Sequence, residues 1–252
     1  MRRGDFPAAW RVSDATIAAR APDERCWHLP RHEQWVWDGR PPHGRRVLVR
    51  CYHGLGDTIQ FARFLPWLDG IARETIVWAQ PALLGLLALV SGRRRLLPLH
   101  DGDPGVEYEA DVEIMELGHV LRVTLETLPT HVPYFDVPRG PRLASSGLAV
   151  GVAAEAGDWD PRRSVPADLL LLARRLRSLD LVIAPDTMLA HLAGALAVPT
   201  WTLLHAEADW RWMQADRRDS PWYPTMRLIR QPRAGDSQSV IDELQRLLSE
   251  FG

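Results

Sequence analysis

The sequence predicts an α/β protein of two successive lobes, each built on a parallel sheet. Short apolar, β-branched runs alternate with segments whose apolar residues recur at helical spacing, the pattern of parallel strands covered on both faces. A stretch rich in Pro, Gly and Ser, Pro129–Ser146, interrupts this alternation once and reads as a linker. The length of 252 residues, with 46% apolar and 25% charged, leaves ample material for a core and suits one large domain or two small ones. The expected division is 1–44 (helix and connector), 45–130 (first lobe), 131–146 (linker) and 147–252 (second lobe with a terminal helix).

Phe6, Ala9, Trp10, Ala15, Ile17 and Ala18 fall at helical spacing, so Phe6–Arg20 is read as a helix, ended by Ala21-Pro22-Asp23. Trp27–Gly44 carries Pro and Gly and reads as a packed connector, in which Trp35 and Trp37 alternate as in a strand edge. Arg46–Cys51 is a strand, His53–Asp57 a glycine turn and Thr58–Leu68 a helix. Thr75–Ala79 is a second strand, Pro81–Val90 a helix with Pro in its first turn, and Leu96–Leu99 a third strand. Asp111–Ile114 is a fourth, followed by a helix over Leu117–Leu128. Beyond the linker come strands at Leu148–Ala153, Leu179–Ala184 and Pro199–Leu204. Helices are expected at Ala167–Arg177, Thr187–Leu196 and, strongly amphipathic, Ser237–Phe251.

Composition narrows the chemistry. The chain has no Lys, so all 30 basic residues are Arg. That excludes a phosphate-loop lysine and a Schiff-base lysine. A phosphate here must be held by Arg forks, backbone N–H groups or helix N-termini. The formal charge of -2 gives no reason to expect a nucleic-acid partner. Cys26 and Cys51 make neither a C-x-x-C pair nor a zinc spacing, and are expected as reduced thiols in a cytoplasmic protein. The basic start lacks the apolar stretch of a secretory signal, and the longest apolar run, near Ala82–Val90, is too short to span a bilayer.

Four constellations carry candidate chemistry. In His53-Gly54-Leu55-Gly56-Asp57 two glycines end a strand and Asp57 stands at the carboxyl edge of the sheet, where ligands of open α/β sheets bind. Asp57 reads either as a general base for an acceptor hydroxyl or as a helix cap paired with Gln60. Ala184–Leu196 runs from a buried strand into a helix start capped by Asp186 or Thr187. Its free N–H groups suit a pyrophosphate, and His191 lies one turn on, on the face of Thr187; the alternative is a capped core helix. Asp209–Met213 and Arg218–Arg227 interleave Trp210, Arg211 and Trp222 with further Trp, Tyr and Arg. This is either a surface that stacks on a ring and grips anions or a Trp-Arg structural plug. Gly157–Ser164 offers Arg162 and Arg163 in a glycine loop, as a cation for a leaving diphosphate or as a solvated turn.

Together, His53–Arg63, Arg163-Ser164, Leu179–Leu196 and Asp209–Arg230 make the chain resemble the family 9-like glycosyltransferases, the group of the lipopolysaccharide heptosyltransferases. It looks most like the branch found behind tetratricopeptide repeats, although 1–44 has room for no more than one helical repeat. The resemblance covers about Trp37 to the last helix. It implies a GT-B fold of two Rossmann-type lobes that bind their ligand in the cleft between them. It further implies metal-independent, inverting transfer of a sugar from a nucleotide diphosphate such as an ADP-heptose to a hydroxyl acceptor, a glycan or protein, with no other cofactor. Asp57 matches the base position, with His53, Gly54, Gly56 and Gln60 beside it. Asp186, Thr187 and His191 match the donor-phosphate segment, and Arg163 the cation. Trp210, Arg211 and Trp222 are further cleft candidates.

Two departures stand out. Only Val165–Ser178 separates Arg163-Ser164 from Leu179, where that group carries several βα units, so a reduced, three-stranded second lobe is expected. Lys is absent, so a lysine that the group places at the diphosphate would be replaced by Arg. The alternative to an enzyme is therefore a degenerate binding or scaffold module, and sheet edges left open by the deletion invite self-association. A dinucleotide oxidoreductase is disfavoured, since the third glycine of its fingerprint is absent.

Overall fold

The computed structural model describes residues 1–20, 26–141, 147–153 and 168–251. It forms two compact units, Asp5–Pro129 and Thr130–Gly252, the latter joined by Met1–Gly4.

The first unit opens with α1 (Phe6–Ala19), capped by Asp5, whose carboxylate accepts from Ala8 N–H at 2.9 Å. The helix packs within this unit rather than apart from it. Trp10 stacks on His119 and donates to Val123 O, and Asp14 pairs with Arg122. The connector keeps only a 3-10 turn at Arg31–Glu33; it forms no strand, yet Val36 and Trp37 are buried. The sheet consists of β1 (Arg46–Arg50), β2 (Glu74–Ala79), β3 (Arg95–Pro98) and β4 (Ala110–Glu113), all parallel, in the order β3-β2-β1-β4. Central β1 is buried on both faces, as its unbroken apolar run requires.

The helix expected over Thr58–Leu68 is interrupted. It forms α2 (Leu55–Phe61) and α3 (Leu65–Ile71) around a 3-10 turn, with Pro66 placed in the first turn of α3 where its missing N–H costs nothing. Likewise Pro81–Val90 shortens to a 3-10 turn and α4 (Leu84–Leu87). Leu117–Leu128 shortens to α5 (Leu117–Val120): Arg122 takes φ +55° and Thr124 and Thr127 bond each other's backbone, which ends the helix.

The second unit holds β5 (Val150–Val152), α6 (Leu169–Leu176), β6 (Leu181–Pro185), α7 (Met188–Ala195), β7 (Thr200–Leu204), β8 (Met226–Arg230) and α8 (Ser237–Phe251). The parallel order β5-β6-β7-β8 corrects the expectation of three strands. The fourth, β8, was hidden in a Trp- and Arg-rich segment because Arg227 and Arg230 mask its apolar residues. Val240 and Leu247 of α8 seal one face against Leu181, Ile183, Trp201 and Ile229.

Candidate functional site

In the first unit β4 lies beside β1 while β2 and β3 lie on its other side, so the strand order reverses between β1 and β4. Ligands of open α/β sheets bind outside the carboxyl ends of strands at such a reversal. The residues there are the His53–Asp57 turn and the Glu113–Glu116 turn.

Asp57 does not start its helix. Gly54 is the N-cap and Asp57 the third helical residue, reaching back so that its Oδ2 accepts from Gly54 N–H at 3.1 Å. A side chain at Gly54 would crowd that oxygen, since a Cβ would stand 3.2 Å from it. Gly56 is the second residue of α2. Gln80 ties the loop down, donating to His53 O at 2.7 Å and accepting from Thr58 at 3.1 Å. Gln60 is fully buried, and neither atom of its amide meets a hydrogen-bond partner among the described residues.

Sequence reading missed the residues opposite. Nδ1 of His53 lies 3.0 Å from Oε1 of buried Glu113, at ion-pair distance, and that oxygen accepts from Tyr52 N–H. Glu113 raises the imidazole above its ordinary pKa, against the effect of burial. Glu113 and Glu116 form a reciprocal cap: Glu113 accepts from Met115 N–H, and Glu116 accepts from Glu113 N–H. A signal was present, Glu-x-x-Glu ahead of an apolar run. Only the topology, however, sets β4 against the turn that follows β1. A cavity of about 310 Å3 opens here, and its polar lining includes Ser13, Arg20, Gln34, His53, Glu113 and Glu116.

Burial raises the Glu116 carboxyl to about 7, although backbone N–H groups of Glu113 and Trp37 bond it. Both of these bond Oε2. Between the usual 4.5 and about 7 the folded chain keeps a proton that the unfolded chain releases. Stability from this group is therefore complete at low pH and falls as pH rises through that interval, by an amount on the order of 3 kcal/mol. Glu116→Gln keeps the acceptor and removes the titration. Urea unfolding at pH 5 and pH 8 is expected to show a smaller difference for this variant than for the wild type; equal differences would refute the buried proton.

In the second unit β6 runs into α7, with Thr187 as N-cap. Its hydroxyl donates to Pro185 O at 3.3 Å instead of capping the helix, and among the described residues no side chain caps the first turn. Asp186, just before it, accepts from Trp212 Nε1 at 2.6 Å and stands 3.6 Å from His191 Nε2. Burial opposes ionisation of Asp186, but the bonds from His191 and Trp212 and the charge of Arg211 hold its pKa below the ordinary value. His191 is 2% exposed, stacks on Trp212, and meets Tyr223 OH through Nδ1 at 3.0 Å. Gly194 makes room for that tyrosine: a Cβ there would lie 2.6 Å from its ring. Both nitrogens of His191 thus face partners inside the unit.

The Trp-Arg segment folds mostly inward. Trp222 is buried and donates to Arg211 O, Trp210 meets it edge to face, and Arg211 pairs with Asp209. Trp222 thus presents no open stacking face. Arg163 and its loop lie outside the described residues. Among the described residues no three His, Cys, Asp or Glu side chains converge as a metal-ligand set, and no helix is long and apolar enough to cross a membrane. Cys26 and Cys51 are buried free thiols.

The heptosyltransferase WaaC of Escherichia coli, solved with ADP-2-deoxy-2-fluoro heptose, superposes with a TM-score of 0.52 at 14% identity, over 82% of this chain and 100% of that one. The same enzyme with ADP gives 0.52 at 12% identity and the same coverage. The fold is GT-B-like. A family 9 glycosyl transferase from Veillonella parvula DSM 2008 agrees, with a TM-score of 0.50 at 10% identity, over 82% of this chain and 90% of that one. No family model and no curated protein matches the chain. In this GT-B-like chain, the carboxyl edge of each unit's sheet carries one of the two described clusters.

Proposed function

We propose that the chain transfers a sugar from a nucleotide-diphosphate sugar, of the ADP-heptose kind, to a hydroxyl acceptor, with inversion and without a metal. The observation that carries this is the start of α7. Among the described residues its first-turn N–H groups receive no side-chain cap, at the carboxyl end of a parallel strand, in a fold shared with an enzyme solved with ADP. The first unit supplies the acceptor side. A cavity of about 310 Å3 has room for a sugar ring, and its lining offers both donors and acceptors to hydroxyl groups. Asp57 takes the proton of the attacking hydroxyl, whose oxygen forms the new bond to the anomeric carbon. The bond from that carbon to the diphosphate breaks, and its electron pair leaves with the nucleoside diphosphate. The positive start of α7 stabilises the charge that develops there.

One observation favours a second reading, a binding module without turnover: His191, which the resemblance assigns to the donor phosphate, is buried and partnered within its own unit. Release of nucleoside diphosphate from a panel of nucleotide sugars, with free sugars and glycans as acceptors, separates the two. Turnover supports the enzyme; tight binding of a donor with no release establishes the module.

A further inference from the structure

The two sheets have four outer edges, and three of them are blunted against pairing. The edge strand β3 contains Arg95 and Pro98 and follows Arg93 and Arg94. On the other side of that sheet, β4 contains Asp111 and Glu113. In the second unit β8 contains Arg227 and Arg230, and its outer side is already used: Leu228 N–H donates to Arg218 O, and Arg227 bridges Asp219 in antiparallel sense. These are ordinary protections, since charge, proline and local cover stop a strand edge from templating another chain.

Among the described residues the fourth edge has none of them. Around β5 the run Leu148-Ala149-Val150-Gly151-Val152-Ala153 contains no charged residue and no proline. Among the described residues no strand pairs with its outer side. Val152 is 68% exposed and Leu148 41%. Because side chains alternate, Leu148, Val150 and Val152 share one face. Val150 packs on the core cluster that α8 covers, so this is the α8 face, and α8 leaves Ile241 and Leu248 exposed. Ala153 and Ile241 line one apolar groove of about 240 Å3. Uncharged edge and apolar rim are thus continuous.

We infer that β5 pairs with β5 of a second copy of this chain, antiparallel about a two-fold axis through Gly151, joining two four-stranded sheets into one of eight. A second copy fits because the edge is self-complementary. Rotation about Gly151 sets Val150 against the partner's Val152, apolar against apolar, with no charge brought face to face. It also closes the assembly, where a head-to-tail contact would leave a fresh edge at each end. The inference uses the second unit alone and stands whether or not the chain transfers sugars.

Sedimentation velocity of the full chain from about 5 to 200 μM tests it. The expected result is a concentration-dependent species of twice the 28.5 kDa chain mass. Val152→Lys puts a charge on the edge at an exposed position and is expected to return the chain to the monomer, with circular dichroism and melting temperature unchanged. Leu148→Glu gives the same test should the first variant fold poorly. A monomer throughout this range, or a dimer that both folded variants leave intact, overturns the inference.

Discussion

Asp57→Asn is expected to lower sugar transfer by about 10²–10⁴-fold, the usual contribution of a positioned general base. The amide keeps an oxygen to accept from Gly54 N–H, so the start of α2 stays bonded. Melting temperature and donor binding are therefore expected to match the wild type, and the loss to fall on kcat. Asp57→Ala removes that bond as well and adds a stability cost of about 1 kcal/mol. This pair of variants decides between the roles that sequence alone left open. If Asp57→Asn retains full transfer and only Asp57→Ala is impaired, Asp57 is a cap and the base lies elsewhere. His53, oriented by Glu113, is then the residue to test.

The largest expected loss of stability comes from Arg50. Its guanidinium is buried against Asp111 at 2.8 Å, and it donates to Tyr52 OH at 2.6 Å and Tyr108 OH at 2.9 Å. Trp27 and Trp78 stand at cation-π distance, 5.4 and 5.8 Å from its carbon. Burial alone would lower its pKa, but Asp111 and the phenol oxygens raise it, so it stays charged. Arg50→Leu leaves Asp111 without its partner and is expected to cost about 3–5 kcal/mol, read from urea unfolding by tryptophan fluorescence. Adding Asp111→Leu is expected to recover much of the loss, because a buried ion pair can be exchanged for apolar packing at little net cost. Equal destabilisation in the single and double variants would show that the aromatic and phenol contacts, rather than the ion pair, hold this sheet face.

Arg50 also shows where sequence reading reaches its limit. Val47-Leu48-Val49 marks a central parallel strand from local pattern alone, and strand-like runs alternate with helical ones along the chain, so the fold class was legible. The aromatic cage around Arg50 was not, because its members come from 27 to 108 in the chain and meet only once the sheet forms. The same holds for the site. Asp57 and Thr187 were legible as strand-end residues because each follows its own strand directly. Glu113 and Glu116 were not, because they reach His53 through the pairing of β4 with β1, about 60 residues apart in sequence. His191 was legible as a residue on the face of Thr187, but its burial depends on Trp212 and Tyr223, whose positions no local pattern states.

The central claim is that the start of α7 holds a diphosphate, and calorimetry tests it directly. Titration with ADP, GDP, UDP, CDP and dTDP, each beside its monophosphate, is expected to give binding for at least one diphosphate and at least tenfold weaker binding for the matching monophosphate. No heat with any of them up to millimolar ligand, or equal affinity for mono- and diphosphate, would contradict it.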